Sequence, residues 1–104
     1  WRVLSPEPPF TEGRAYNTAE NRKIMVLMTD GANDAIGLPN MNGSFYSAYG
    51  YSAAGRLGTT SSNRSDIVAK MNEKTLTACT NAKALGIQIY TVGFYVTDAT
   101  AQSI

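Results

Sequence analysis

One segment constrains this chain more than any other: Lys23-Ile24-Met25-Val26-Leu27-Met28-Thr29, a continuous apolar run with no polar alternation, ended by Asp30-Gly31. A run of that length without alternation fits a strand of a parallel sheet buried on both faces, and 23–31 is read as that strand. A second candidate follows at 87–94, where Ile87-Gln88-Ile89-Tyr90-Thr91-Val92-Gly93-Phe94 is rich in β-branched and aromatic residues. Between them, 65–85 reads as helical. Asn72 is a good N-cap with Glu73 in the first turn, where the helix dipole favours an acid. Leu76, Cys79, Ala82 and Leu85 recur every three residues, a stripe that should meet a sheet, and Gly86 suits the left-handed residue that closes a helix. Strand, crossover helix and strand make a parallel βαβ unit of an α/β fold, a connection that is almost always right-handed.

The remainder is irregular. Residues 1–22 read as an extended connection, since each proline of Ser5-Pro6-Glu7-Pro8-Pro9 restricts itself and its predecessor, with Trp1 and Phe10 as the side chains that would pin it. Residues 32–64 read as one long loop of Gly, Ser, Asn, Ala and Tyr without strand or helix. Loops of that size are uncommon in compact domains unless they carry function. Tyr46, Tyr49 and Tyr51 among small polar residues have the composition of a partner-binding loop, because tyrosine offers contact area at low entropic cost; the other reading is an insertion without function. Residues 98–104 read as the start of a truncated helix. Two strands and one helix fall short of a stable parallel sheet, so the expectation is a portion of a larger domain, cut at both ends.

Composition excludes several classes. The chain of 104 residues has a formal charge of +1, and its Lys and Arg are scattered through both halves, which leaves no basic stripe for nucleic acid. It contains no His, which removes Ser/His and Cys/His nucleophilic pairs and His-containing zinc sites, and an enzyme is not expected. No apolar run approaches the ~20 residues of a membrane helix, and Trp1-Arg2-Val3-Leu4 lacks the organisation of a signal peptide. Cys79 stands alone, so it is either a buried small hydrophobe or one half of a bridge to a partner elsewhere.

In open α/β sheets, ligands bind beyond the carboxyl ends of the strands, where the apolar run delivers Asp30. A hard cation such as Mg²⁺ takes oxygen ligands, often one or two carboxylates with hydroxyls and waters, which makes Asp30 the leading metal candidate. Gly31 would allow a sharp turn there; the plainer reading is that Asp30-Gly31 only makes a turn. Asn33 and Asp34 could add oxygens, but the run lacks the alternation and closing Glu of a calcium loop, so both are read as loop residues by default. A strand ending in Asp also suits a nucleotide hydrolase, but the chain has no phosphate loop ending in Lys-Ser or Lys-Thr. Asn42-Gly43-Ser44 and Asn63-Arg64-Ser65 match the glycosylation pattern, which is short and often met by chance.

The residues from Lys23 to Gly31 resemble the strand of von Willebrand factor A-type (VWA) domains whose terminal Thr-Asp-Gly supplies an acid to a metal-ion-dependent adhesion site. Thr75–Lys83 followed by Gly86–Phe94 is similar to the next helix and strand of that fold, and Trp1-Arg2-Val3-Leu4-Ser5-Pro6 adds a likeness to TadG-type proteins of bacterial tight-adherence (Flp) pilus assembly. The resemblance implies a partial Rossmann-like sheet with Asp30 as a metal ligand. It also implies Mg²⁺ or another divalent cation in the intact domain, a protein partner among pilus assembly components, and a place on the periplasmic side of the bacterial envelope. The membrane would be reached only through an anchor outside this chain. An oxidising periplasm would permit an out-of-chain or intermolecular disulfide at Cys79. The family's Asp-x-Ser-x-Ser motif is absent from the sequence, so the metal site is incomplete in this chain and little or no binding is expected of it alone.

Overall fold

The computed structural model describes residues 1–35 and 44–96. Along the chain these form a 3-10 turn at Arg2–Leu4, strand β1 at Ile24–Thr29, short strands β2 at Tyr46–Ser47 and β3 at Gly50–Tyr51, a second 3-10 turn at Ser52–Ala54, helix α1 at Arg64–Ala84 and strand β4 at Gln88–Gly93. The truncated helix expected at 98–104 lies outside the described residues. The chain divides into two compact units, one built from residues 1–31 and those from Thr77 onward, the other from Ala32–Leu76.

In the first unit β1 and β4 pair in parallel, Ile24 opposite Gln88 through Thr29 opposite Gly93, giving a mixed helix-and-strand α/β architecture. The Gln88 N–H reaches the Lys23 carbonyl and the Phe94 N–H the Thr29 carbonyl, which extends the ladder at both ends. Helix α1 ends where Gly86 takes a left-handed conformation (φ +79°). Its N–H bonds to Lys83 O and that of Ile87 to Ala82 O, the two bonds that satisfy the last carbonyls of such a terminus. Ala82 and Ile87 are buried.

The burial of β1 differs from expectation. Ile24, Val26 and Met28, which share one face by the two-residue period of a strand, are exposed, as are Tyr90 and Val92 of β4. A parallel sheet hides both faces only when helices cover each, and α1 is the one α-helix among the described residues. The stripe along α1 is likewise interrupted, because Leu76 is exposed, Cys79 and Leu85 are half-buried, and only Ala82 reaches the interior.

Trp1 and Phe10 are also exposed, and the clamp that ties the first segment down is Lys23. Its side chain is buried and its ammonium donates to the carbonyls of Leu4 and Arg14 while lying 4.8 Å from the centre of the Tyr16 ring. Contacts with Ser5, with the indole N–H of Trp1 and with the Lys23 charge pull the Tyr16 hydroxyl below its ordinary pKa.

In the second unit the stretch read as one long loop carries two short strands and a 3-10 turn between Ser44 and Gly55. β2 and β3 pair antiparallel, with Tyr46 opposite Tyr51, and Gly50 at φ +84° follows the tight turn, where a left-handed residue lets the ribbon twist. Two hydroxyls secure its base: the Oγ atoms of buried Ser44 and Ser52 lie 2.7 Å apart, and the Ala53 N–H donates to Ser44 Oγ. Ala35, Leu57 and Ile67 form the core of this unit, with Phe45, Val68 and Met71 packed against it.

Helix α1 begins a full two turns before Asn72. Asn63 Oδ1 accepts from the Ser65 N–H and Asp66 supplies the acid of the first turn. Asn72 therefore lies inside the helix, and its Oδ1 accepts a hydrogen bond from Asn33 Nδ2 at 2.9 Å rather than capping a terminus.

Candidate functional site

A cavity of about 180 Å³ lies within the second unit. Its lining includes Tyr46, Tyr49 and Tyr51, the three tyrosines singled out in the sequence, together with Phe45. Buried Ala35, Leu57 and Ile67 line it with Ser47, Gly50 and Ser52, and the wall is mainly apolar. Tyr46 and Tyr51 meet edge to face, with ring centres 5.0 Å apart and planes at 61°. That contact follows from their directly opposed positions in the ladder, and such pairs stabilise by more than their area alone.

Among the described lining residues one carries charge, Asp34. Arg64 at the start of α1 donates to its Oδ1 through both Nε, at 3.0 Å, and Nη2. That hydrogen bonding, reinforced by the guanidinium charge, holds the Asp34 carboxyl below its ordinary pKa, so the group is ionised throughout the neutral range. In the sequence Asp34 reads as a loop residue that could add an oxygen beside Asp30, not as the partner of Arg64. A pair thirty positions apart leaves no local pattern, and Phe45, Ala35 and Leu57 were hidden in a segment too short in apolar periodicity to show an inward face.

Asp30 lies in the first unit, exposed, immediately after β1. The turn there is made by Thr29 rather than by glycine: Thr29 Oγ1 donates to Gly31 O at 2.8 Å and accepts from Gly31 N–H at 3.2 Å. Gly31 has no positive φ, and a Cβ at that position would meet open space. Among the described residues no three of His, Cys, Asp or Glu gather closely enough to hold a metal ion. Mg²⁺ requires about six oxygens in near-octahedral geometry, so Asp30 with its described surroundings does not fit a complete centre. Cys79, on α1, is a half-buried free thiol. No helix among the described residues is long and apolar enough to cross a membrane.

Compared with protein-family models, with curated proteins and with solved structures, the chain matches none. The chemistry of its surfaces is therefore what carries a functional reading.

Proposed function

We propose that this chain is part of a VWA-type binding module rather than an enzyme, and that its tyrosine-bearing hairpin meets a protein partner. In this reading Asp30 gives one oxygen to a site for Mg²⁺ or another divalent cation, completed by an Asp-x-Ser-x-Ser motif that the sequence does not contain. The setting, the bacterial envelope and tight-adherence pilus assembly, rests on the resemblance of Lys23–Gly31, Thr75–Phe94 and the Trp1–Pro6 segment alone. The observation that carries the binding reading is the gathering of Tyr46, Tyr49 and Tyr51 on one mainly apolar pocket. Rigid amphipathic rings around a depression are what protein interfaces use as anchors.

The test is partner binding by the intact protein, measured with Mg²⁺ and with a chelator, for wild type, Tyr46→Ala and Asp30→Ala. Loss with Tyr46→Ala supports the hairpin as the contact surface, and unchanged binding removes it. Loss with both the chelator and Asp30→Ala supports a metal-assisted contact. A second reading is a VWA-like scaffold without a working metal site, for which Asp30→Ala and the chelator leave binding unchanged. Hydrolysis of ATP or GTP that Asp30→Ala abolishes would replace both with a Mg²⁺-dependent nucleotide hydrolase.

A further inference from the structure

We propose that the pocket ringed by Phe45, Tyr46, Tyr49 and Tyr51 receives a basic side chain, arginine or lysine, from the protein partner, its charged head drawn to Asp34 and its methylene stem lying against the rings. This rests on the binding reading above and names the chemistry of the anchor.

Size comes first. A cavity of about 180 Å³ is below the ~300–1,000 Å³ of sites that enclose a whole small molecule, and suits one side chain. Composition then selects which kind. Aromatic faces attract a cation placed within about 6 Å of a ring centre, and long basic side chains bury their stems against apolar surface while the head finds a partner. Asp34 is a carboxylate and the one charged group among the described lining residues. Asp34 already accepts from Arg64, so an aliphatic anchor would cover part of its half-exposed side chain without adding a partner, whereas a guanidinium or ammonium adds a charge-assisted hydrogen bond to that carboxylate.

Arg64 sharpens the argument. It touches Asp34 at Oδ1 and does not itself line the cavity, so it competes with an incoming cation for the same carboxylate without occupying the cation's seat. Removing the acid and removing its resident partner should therefore act in opposite directions. A purely structural role for the Asp34–Arg64 pair would make both changes act alike.

The experiment uses the chain with ¹³C-labelled tyrosine rings and three capped tripeptide probes, Gly-Arg-Gly, Gly-Leu-Gly and Gly-Glu-Gly, titrated by NMR. Expected are saturable shifts of the Tyr46, Tyr49 and Tyr51 rings with the arginine probe, binding about threefold or more weaker for the leucine probe, and weaker still for the glutamate probe. Asp34→Asn should weaken the arginine probe by about three- to tenfold, and Arg64→Gln should tighten it by about two- to threefold. Should Asp34→Asn unfold the chain, Arg64→Gln carries the sign test alone. Equal binding of leucine and arginine probes overturns the proposal and leaves an apolar anchor site, with the binding reading intact. Shifts with no probe also overturn it, while the Tyr46→Ala partner measurement decides the binding reading separately. Weakened arginine binding in Arg64→Gln overturns it as well.

Discussion

Gly86→Ala tests how the helix hands over to β4. Gly86 has φ +79°, where an L residue brings its Cβ against the following carbonyl at a cost of about 1–2 kcal/mol. A second penalty is visible, since an added Cβ would stand 2.6 Å from Asn17 Oδ1. The two differ in how easily they relax. Asn17 Oδ1 is the tip of a side chain that can rotate away, whereas the Gly86 backbone is tied by two hydrogen bonds, from its own N–H to Lys83 O and from Ile87 N–H to Ala82 O. The backbone term should dominate, so Gly86→Ala is expected to destabilise by about 1–2 kcal/mol, with Asn17→Ala restoring no more than about 0.5 kcal/mol of it. Equilibrium urea unfolding followed by far-ultraviolet circular dichroism, on the four members of the double-mutant cycle, measures both quantities. A loss below about 0.5 kcal/mol would refute the left-handed terminus, and near-complete rescue by Asn17→Ala would refute the ranking of the two terms.

Lys23→Met removes a charged donor shared by two carbonyls and should cost about 2–3 kcal/mol, with faster tryptic cleavage after Arg14; an unchanged urea midpoint would show the clamp to be ineffective. Ser44→Ala leaves the Ala53 N–H without its acceptor and is expected to lower stability by about 1–3 kcal/mol, with loss of cross-strand NOEs between Tyr46 and Tyr51. Asp34 has a folded pKa below its ordinary 3.8, so the unfolded chain binds the extra proton and the Arg64 pairing stabilises fully above that value. The advantage of wild type over Asp34→Asn should therefore shrink as pH falls through the lower, folded value, and a constant difference from about pH 6 to about pH 3 would contradict it.

What the sequence reveals and what it hides follow from the range of the interactions. β1 and β4 are legible because a continuous apolar run and a β-branched run are properties of consecutive residues, and Gly86 because a left-handed terminus needs one residue type. The N-cap of α1 is not, since Asn63 with Asp66 and Asn72 with Glu73 present the same local pattern; Asn72 instead accepts from Asn33, 39 positions away. The hairpin escapes detection because strands of two residues have no period to detect; the Ser44–Ser52 hydroxyl contact and the Tyr46–Tyr51 ring pair hold it together. Lys23 reads as the first residue of a strand, yet its work is done on main-chain carbonyls 9 and 19 residues away, which have no side-chain signature. The tyrosines of the candidate site were visible through composition; its one acid was not, because what distinguishes Asp34 is a pocket wall and a distant arginine.

The exposed sheet face decides where the metal reading can be tested. Ile24, Val26, Met28, Tyr90 and Val92 retain 48 to 72% of their accessible surface. Full burial of one such side chain contributes about 1.5–3 kcal/mol, so roughly half-burial of five leaves on the order of 5 kcal/mol unrealised. That equals the lower end of the ~5–15 kcal/mol stability of a typical folded domain. A chain with this much apolar surface in water has little reserve, and a substitution beside β1 can unfold it before it reveals any chemistry. Asp30 follows that strand directly, so loss of cation or partner binding on Asp30→Ala in the 104-residue chain would not distinguish a ligand from a structural residue. In a protein whose sheet face is covered the same substitution removes one exposed carboxylate, and stability should be unchanged. Partner binding is then the quantity that moves, if Asp30 is a metal ligand.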